Sequence, residues 1–323
     1  MMRAPRFWRH DGLAARLLTP LAWSYGLLAS ARRGLIRPER AECPVICVGN
    51  LVTGGAGKTP VALDLGQRLM ARGRHVHYLS RGYGGSTPGP IRVDPAEHDA
   101  RWVGDEPLLL AARAPTWVAR HRPAGARAAV AAGADVIVMD DGFQNPSLIK
   151  DLSLVVIDGA YGFGNGRMLP AGPLREPVAD GLARADGVVV MGEGSAWRDG
   201  LAGFVKPILH GVLAPAPGAA SLAGKAVLAF AGIARPEKFF ETLAAMGCRL
   251  VGTHGFPDHH SFSADEIMTL VEFANTQGAV AVTTEKDHVR LPAEARPMVE
   301  ALRVEIAWRD PASVDRLLDG IGL

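Results

Sequence analysis

Cysteine is scarce in this chain. Cys43, Cys47 and Cys248 are odd in number and show no metal-ligand spacing. That argues against a disulfide framework and a cysteine-held metal, and fits a reducing compartment. A long apolar run is also missing. The uncharged stretch Leu17 to Ala31 has 15 residues and contains Pro20 and Gly26. A membrane-spanning helix needs roughly 20 predominantly apolar residues. Neither sign of charge dominates: the net charge of +2 gives no global case for nucleic-acid binding. Internal repeats, low-complexity tracts and coiled-coil heptads are absent. What remains is a globular composition, 48% hydrophobic and 21% charged, in 323 residues. That length suits two α/β domains.

The most informative stretch is Gly49-Asn50-Leu51-Val52-Thr53-Gly54-Gly55-Ala56-Gly57-Lys58-Thr59-Pro60. The apolar run Pro44–Val48 leads in, and the amphipathic segment Val61–Arg72 leads out. Strand, glycine-rich turn and helix start stand in the order a phosphate-binding loop requires. Glycines let backbone N–H groups curl around phosphate oxygens, and a helix N-terminus adds partial positive charge. The backbone from Thr53 through Gly54, Gly55, Ala56 and Gly57 is therefore the expected cradle. Lys58 is expected on the β- and γ-phosphates and the Thr59 hydroxyl on Mg²⁺. Pro60 suits a first helical turn. The strict pattern wants Gly at position 52, where this chain has Val52. The alternative is a glycine-rich turn with a chance Lys-Thr.

Strand-like runs at Val45–Val48, His75–Leu79, Val136–Met139, Leu154–Ile157 and Val188–Met191 alternate with helical segments. This predicts a mostly parallel sheet covered on both faces. Pro215-Ala216-Pro217-Gly218 reads as a boundary. Beyond it, Ala226–Gly232, Leu250–Thr253, Val280–Thr283 and Val304–Trp308 outline a smaller α/β unit. Ser263 and Glu266 there form a capping box. The expected division is a segment 1–37, a phosphate-loop domain 38–217 and a smaller domain 218–323. The last strand and helix are free to return to the first domain.

Val136–Met139 ends in Asp140-Asp141-Gly142. Ligands of open parallel sheets bind beyond the carboxyl ends of strands, and an acid there holds Mg²⁺ in phosphoryl-transfer enzymes. Strand alternation sends the two carboxylates in different directions. Asp158 ends another strand and is the competing choice. Gly104-Asp105-Glu106-Pro107 opens a helix. Its acids read either as cap and dipole partners or as a general base plus a metal ligand. Phe256-Pro257-Asp258-His259-His260 reads either as a surface turn or as a histidine paired with a carboxylate across the cleft. Two observations narrow the nucleotide. Thr284-Glu285-Lys286-Asp287 resembles a guanine-reading motif with its lysine one place late. Thr53 stands where partitioning ATPases carry a lysine. Both favour ATP.

Arg3, Arg6, Arg9, Arg16, Arg32, Arg33, Arg37 and Arg40 crowd the first 40 positions, with Trp8, Trp23 and Tyr25 among them. This reads as one or two helices lying on an anionic membrane surface. The competing readings are a helix packed on its own domain and a secretory signal with Ala29-Ser30-Ala31 as cleavage site.

The ordered set of motifs resembles the tetraacyldisaccharide 4'-kinase family of lipid A biosynthesis. Its members here are Val48–Pro60, Ser80-Arg81-Gly82-Tyr83-Gly84-Gly85, Gly104–Pro107, Asp140-Asp141-Gly142-Phe143-Gln144, Asn165–Glu176, Phe256–His259 and Thr283–Asp287. The family's loop also lacks the first glycine. One departure is Asn145-Pro146-Ser147, where the family often carries basic or histidine residues. The resemblance implies a P-loop NTPase-like, mostly parallel α/β domain, a smaller C-terminal α/β domain, and an N-terminal membrane-associating segment. It implies ATP and Mg²⁺ as cofactors and tetraacyldisaccharide 1-phosphate as the glycolipid substrate, with lipid IVA as product. The expected location is peripheral, at the cytoplasmic face of the bacterial inner membrane, with no protein partner. By motif, Asp105 is the expected base with His259 its dyad partner. Asp140, Asp141, Glu106 and Thr59 are expected around Mg²⁺. Gln144, Arg175 and Glu176 are expected near the nucleotide. Arg81 and Tyr83 are expected to meet one of the two substrates. The alternatives of another class are an ATPase switch or metallochaperone without an acceptor, and a non-catalytic nucleotide sensor.

Overall fold

The computed structural model describes residues 5–323, so Arg3 lies outside the described residues. In chain order the strands are β1 (Val45–Gly49), β2 (Val76–Ser80), β3 (Ile91–Arg92), β4 (Thr116–Val118), β5 (Val136–Asp140), β6 (Leu152–Asp158) and β7 (Gly187–Met191). They continue with β8 (Ile208–Pro215), β9 (Ala226–Ala231), β10 (Arg249–Gly255), β11 (Val280–Thr284), β12 (Glu300–Leu302) and β13 (Val304–Trp308). A nine-stranded sheet has the order β13-β8-β7-β6-β1-β5-β2-β4-β3. Its inner strands run parallel, and antiparallel β3 and β13 close the two edges. A separate four-stranded parallel sheet has the order β10-β9-β11-β12.

Side-chain alternation explains how the large sheet is covered. Ile46 and Val48 of β1, with Val136 and Val138 of β5, meet Val61, Leu65 and Leu69 of the helix Lys58–Ala71. Val45, Cys47, Ile137 and Met139 face the other way, onto Ala126 and Ala129 of the helix Arg122–Ala131. Residues i and i+2 of a strand share a face, so buried parallel strands read as continuous apolar runs. β13 pairs with β8, and the helix Pro311–Asp319 follows it. That helix adds Val314 and Leu318 to the first layer. Asp315 pairs there with Arg68 at 3.2 Å and Arg72 at 2.9 Å. The chain's end thus braces the helix that starts at Lys58.

The N-terminal segment forms a short 3-10 turn, Arg6–Arg9, and one helix, Leu13–Leu35, with Pro20 inside it. The proline sits within the second turn, and Thr19 and Ser24 hydroxyls bond back to the carbonyls of Ala15 and Pro20. The helix touches the body through its small residues. Ala15 and Ala22 are buried, and a Cβ on Gly26 would lie 2.6 Å from Met168 Cε. The Asn165–Pro170 segment holds the N-terminus. Asn165 donates to the Phe7 carbonyl, Trp8 Nε1 to the Pro170 carbonyl, and Arg167 to Asp11 and Thr19. No described helix is long and apolar enough to cross a membrane.

Gly66 tests the layer beneath the phosphate loop. A Cβ there would lie 2.0 Å from the Tyr78 hydroxyl oxygen and 2.6 Å from Cζ, and Tyr78 is fully buried. Gly66→Ala should cost about 1–3 kcal/mol through overpacking, read as a lower urea midpoint. Adding Tyr78→Phe should recover part of it. A Gly66→Ala midpoint equal to wild type would mean that helix and strand part freely at this contact.

Candidate functional site

The loop between β1 and the helix Lys58–Ala71 is built as a cradle. Gly54 (φ 117°) and Gly57 (φ 89°) adopt left-handed backbone that favours glycine. Asn50 Nδ2 and Lys58 Nζ both donate to the Gly54 carbonyl, at 3.2 and 3.4 Å. The outer wall is the segment Pro173–Arg175: Thr53 N donates to Pro173 O and Arg175 N to Leu51 O, both at 2.8 Å. Thr53 through Thr59 line one cleft of about 1550 Å³.

Asp140 and Asp141 diverge. Asp140 ends β5, is buried, and its Oδ2 accepts the Thr59 hydroxyl at 2.9 Å. Its Oδ1 is buried without a partner. Burial pushes its pKa up to about 7, with Lys58 opposing. Asp141 leaves the strand with φ 52° and lies 2.8 Å from Arg175 and 3.9 Å from Lys58. Burial alone would raise its pKa, but Lys58 and Arg175 outweigh that and hold it below the usual carboxylate range. Burial draws Lys58 below the usual lysine range, with Asp141 opposing. Asp158, the competing acid, accepts the N–H groups of Ala160 and Tyr161 and pairs with Arg235 at 2.7 Å.

The opposite wall comes from both sheets. Asp105 opens the helix Asp105–Ala111. His259 Nδ1 lies 2.7 Å from its Oδ2. Arg290 Nη2 reaches the same oxygen at 2.6 Å. Burial opposes ionisation of Asp105, yet the His259 and Arg290 contacts prevail and hold it at about 2. His259 lines the cleft, while Asp105 is 8% exposed just behind it. Glu106 lines the cleft and sits 3.5 Å from Lys286. The neighbouring histidine is used otherwise: His260 stacks on Phe256 at 4.7 Å and meets Glu266 at 3.1 Å.

Among the residues singled out from sequence, the structure gathers Lys58, Thr59, Glu106, Asp140, Asp141, Gln144, Arg175 and His259 around this cleft. Arg81 and Tyr83 line it too. Glu176 departs from the expectation. Its carboxylate is fully buried behind the cleft wall, paired with Arg33 at 2.6 Å and Arg184 at 2.7 Å. Gln144 links it to the loop, donating to Glu176 and to the Asn50 carbonyl. Glu176 therefore holds the N-terminal helix and the loop rather than facing the cleft. Sequence reasoning missed Arg122 and Arg290. Arg122 lines the cleft, is 2% exposed, and its Nε has no partner. Burial, then Arg81, lowers it to about 10. No local pattern marks either arginine. The Thr283–Asp287 motif beside Arg290 was the available signal.

Comparison with known proteins points the same way. The family model for tetraacyldisaccharide-1-P 4'-kinase matches residues 14–322. A tetraacyldisaccharide 4'-kinase of Rhodospirillum centenum is 58% identical, over 98% of this chain and 96% of its own length. One from Paramagnetospirillum magneticum is 54% identical, over 100% and 99%. The crystal structure of LpxK from Aquifex aeolicus in its "apo" form, in complex with ATP, superposes with a TM-score of 0.76. It is 26% identical and covers 96% of this chain and 99% of its own. The chain belongs to the tetraacyldisaccharide-1-P 4'-kinase family.

Proposed function

We propose that this cleft moves the γ-phosphate of ATP to the 4'-hydroxyl of tetraacyldisaccharide 1-phosphate, giving lipid IVA and ADP. The observation that carries the reading is the Asp105–His259 contact of 2.7 Å in a cleft shared with the phosphate loop. An acceptor hydroxyl must lose a proton as it attacks, and a base pair on the wall opposite the phosphate loop faces the space that acceptor would occupy. In this reading the hydroxyl oxygen bonds to the γ-phosphorus and its proton goes to the Asp105–His259 pair. The bond to the β-phosphate bridging oxygen breaks, and its electrons leave with ADP. Lys58 and the backbone of Gly54–Thr59 hold the phosphates and offset charge on the transferring group. Arg175 keeps Asp141 ionised and aligned.

The acids fit a divalent cation. Asp140 Oδ1 is an orphaned, buried carboxylate oxygen beside the Thr59 hydroxyl. A buried acid held near neutrality is one that a cation would ionise. Mg²⁺ uses one or two carboxylates and completes its shell with waters and phosphates. Asp140, Thr59 and Asp141 are the residues that would hold it, with Glu106 across the cleft. The ion, when bound, neutralises charge on the β- and γ-oxygens.

The N-terminal helix suits a lipid surface. Leu13, Leu17, Leu21, Leu28 and Leu35 follow a helical spacing and are 58–85% exposed, with Trp23 and Leu27 beside them. Such an apolar patch on a lone helix needs a partner, and the flanking arginines favour anionic headgroups. Tyr25, Leu28 and Arg32 also line the cleft. Docking there places the cleft beside a substrate whose acyl chains stay in the bilayer. The chain then works peripherally, at the inner-membrane face that holds ATP.

Mass spectrometry of a reaction with ATP and the disaccharide 1-phosphate should show one added phosphate. Asp105→Ala should lower kcat by about 10²–10⁴-fold with little change in the KM for ATP. His259→Ala should cost less, and the double variant should be little worse than Asp105→Ala. A folded Asp105→Ala enzyme with normal turnover would end the dyad reading.

Asp140→Asn or Asp141→Asn should raise the Mg²⁺ concentration needed for half-maximal activity. Unchanged titrations in both, with a shift in Asp158→Asn, would move the metal to the other strand.

Replacing Leu17, Leu21 and Leu28 by Asp should weaken binding to anionic vesicles more than tenfold. Each leucine contributes roughly 1.5–3 kcal/mol when fully buried, and 1.4 kcal/mol is a factor of ten. ATP binding should persist. Vesicle binding equal to wild type would remove the helix as the docking element.

A further inference from the structure

Arg290 takes no part in the chemistry described above, yet it is among the most constrained charges near the cleft. Its side chain is 4% exposed. It follows the short helix Glu285–His288 in the unit of the four-stranded sheet. One guanidinium nitrogen, Nη2, lies 2.6 Å from Asp105 Oδ2. The other, Nη1, lies 2.8 Å from Asp287 Oδ1 and donates to the Gly232 carbonyl at 3.0 Å. Its Nε is buried without a partner. A buried guanidinium with an unmet donor is costly, so the contacts of its two other nitrogens are what retain it.

Those contacts end on both halves of the base pair. Asp287 is fully buried and is itself fixed, accepting from Gly232 N at 3.0 Å and from the Thr284 hydroxyl at 2.7 Å. The Gly232 carbonyl that takes Arg290 Nη1 also takes the backbone N–H of His259 at 3.0 Å. His259 holds a left-handed backbone, φ 61°, which a non-glycine residue keeps only when its surroundings impose it. A side chain at Gly232 would crowd this hub: a Cβ would lie 3.1 Å from both Asp287 Oδ1 and His260 Cβ. The proton pattern is consistent. His259 and Arg290 both bring donors to Asp105 Oδ2, and the 3.3 Å between Arg290 Nη2 and His259 Nδ1 is a contact of two donors. His259 then carries its proton on Nδ1, leaving the Nε2 lone pair beside Lys286 Nζ at 3.4 Å. Asp105 Oδ1 remains for a third partner.

We infer that Arg290 is a positioning residue for phosphoryl transfer: its planar fork spans Asp105 of one unit and the Asp287–Gly232 hub of the other, and so sets the Asp105–His259 pair in register across the cleft. This rests on the reading of Asp105 and His259 as the base pair. Arginine suits the task because its fork offers two fixed directions, where lysine offers one point charge. Arg290 does not line the cleft, so it acts through Asp105 and not on either substrate.

The test is a kinetic cycle in the full-length protein with ATP and the disaccharide 1-phosphate in mixed micelles. Arg290→Met should lower kcat about 10²-fold, the scale of a misplaced catalytic group, with both KM values nearly unchanged. In an Asp105→Asn background the same change should cost almost nothing more, because the residue it positions is gone. Arg290→Lys keeps the charge but cannot bridge two carboxylates, so its kcat should fall between Met and wild type. Should Arg290→Met fail to melt cooperatively, the Lys variant and its cycle with Asp105→Asn carry the same comparison. A folded Arg290→Met enzyme with wild-type kcat would overturn the proposal. So would a loss that multiplies fully in the Asp105→Asn background, which marks a general structural role. If Asp105→Asn is itself fully active, the base-pair reading fails instead. If it is inactive while Arg290→Met is normal, only the role of Arg290 falls.

Discussion

The parallel register of β1 and β5 governs everything above the large sheet. It sets Val48 beside Asp140, so the phosphate loop and the buried acid leave the sheet at one level. Parity does the rest. Asp140 shares the face of Val136 and Val138, which lie under the helix Lys58–Ala71. Its carboxylate therefore meets Thr59, in that helix's first turn, at 2.9 Å. A slip of one residue would turn Asp140 to the other face and separate it from the loop. Asp141, one position on, goes the opposite way and meets Arg175 and Lys58. Two adjacent carboxylates thus receive different electrostatic environments: Asp140 is buried and feels Lys58 without an ion-pair contact, while Asp141 contacts two cations.

Strain concentrates where function is placed. Among the described residues, the non-glycine residues with positive φ are Asp141 and His259, one on each side of the cleft. Each is held by arginine-centred contacts: Arg175 on Asp141, and Arg290 through Gly232 for His259. A left-handed non-glycine costs of order 1–3 kcal/mol, and charge-assisted hydrogen bonds to charged groups contribute about 1.5–3 kcal/mol each. The local cost is therefore met by contacts of similar size. Both carboxyl-bearing walls are consequently preorganised before any substrate arrives, which is what electrostatic catalysis requires.

Legibility in the sequence followed the range of the interaction. β1, β5, β6 and β7 were readable because burial on both faces leaves apolar runs. β4 has three residues and β3 two, too short for any periodicity. β8 carries His210 and Gly211 and runs into Pro215, which interrupts the apolar pattern. The loop, Asp140 and Asp141 were legible because strand, turn and helix are consecutive in sequence. Asp105 and His259 are 154 positions apart; a cap and a turn described each equally well, and only the family motifs singled them out. Arg122 and Arg290 follow no periodic or motif rule. Arg290 is buried by Asp105 and the Gly232 carbonyl, which come from distant segments, and Arg122 folds inward onto the nearby Ala119 carbonyl without any local pattern that announces it.

Glu176 shows why a shared motif need not mean a shared contact. Arg175 and Glu176 are neighbours in a bend just before the helix Val178–Arg184, and their side chains take different charged partners. Arg175 enters the cleft onto Asp141. Glu176 goes behind it, where two arginines and Gln144 surround a fully buried carboxylate. Removing one partner from such a cluster is strongly destabilising, because the other charge stays buried. One of those partners, Arg33, belongs to the last turn of the N-terminal helix. Gln144, in turn, donates to the Asn50 carbonyl at the mouth of the phosphate loop. The helix proposed to meet the membrane and the loop proposed to hold the phosphates are therefore fastened to the same buried carboxylate. That common fastening sets the orientation of the cleft toward whatever surface the helix rests on. It also explains why the Asn165–Glu176 segment is a single continuous motif: its first half pins the N-terminus, its middle braces the loop, and its last two residues divide between cleft and latch.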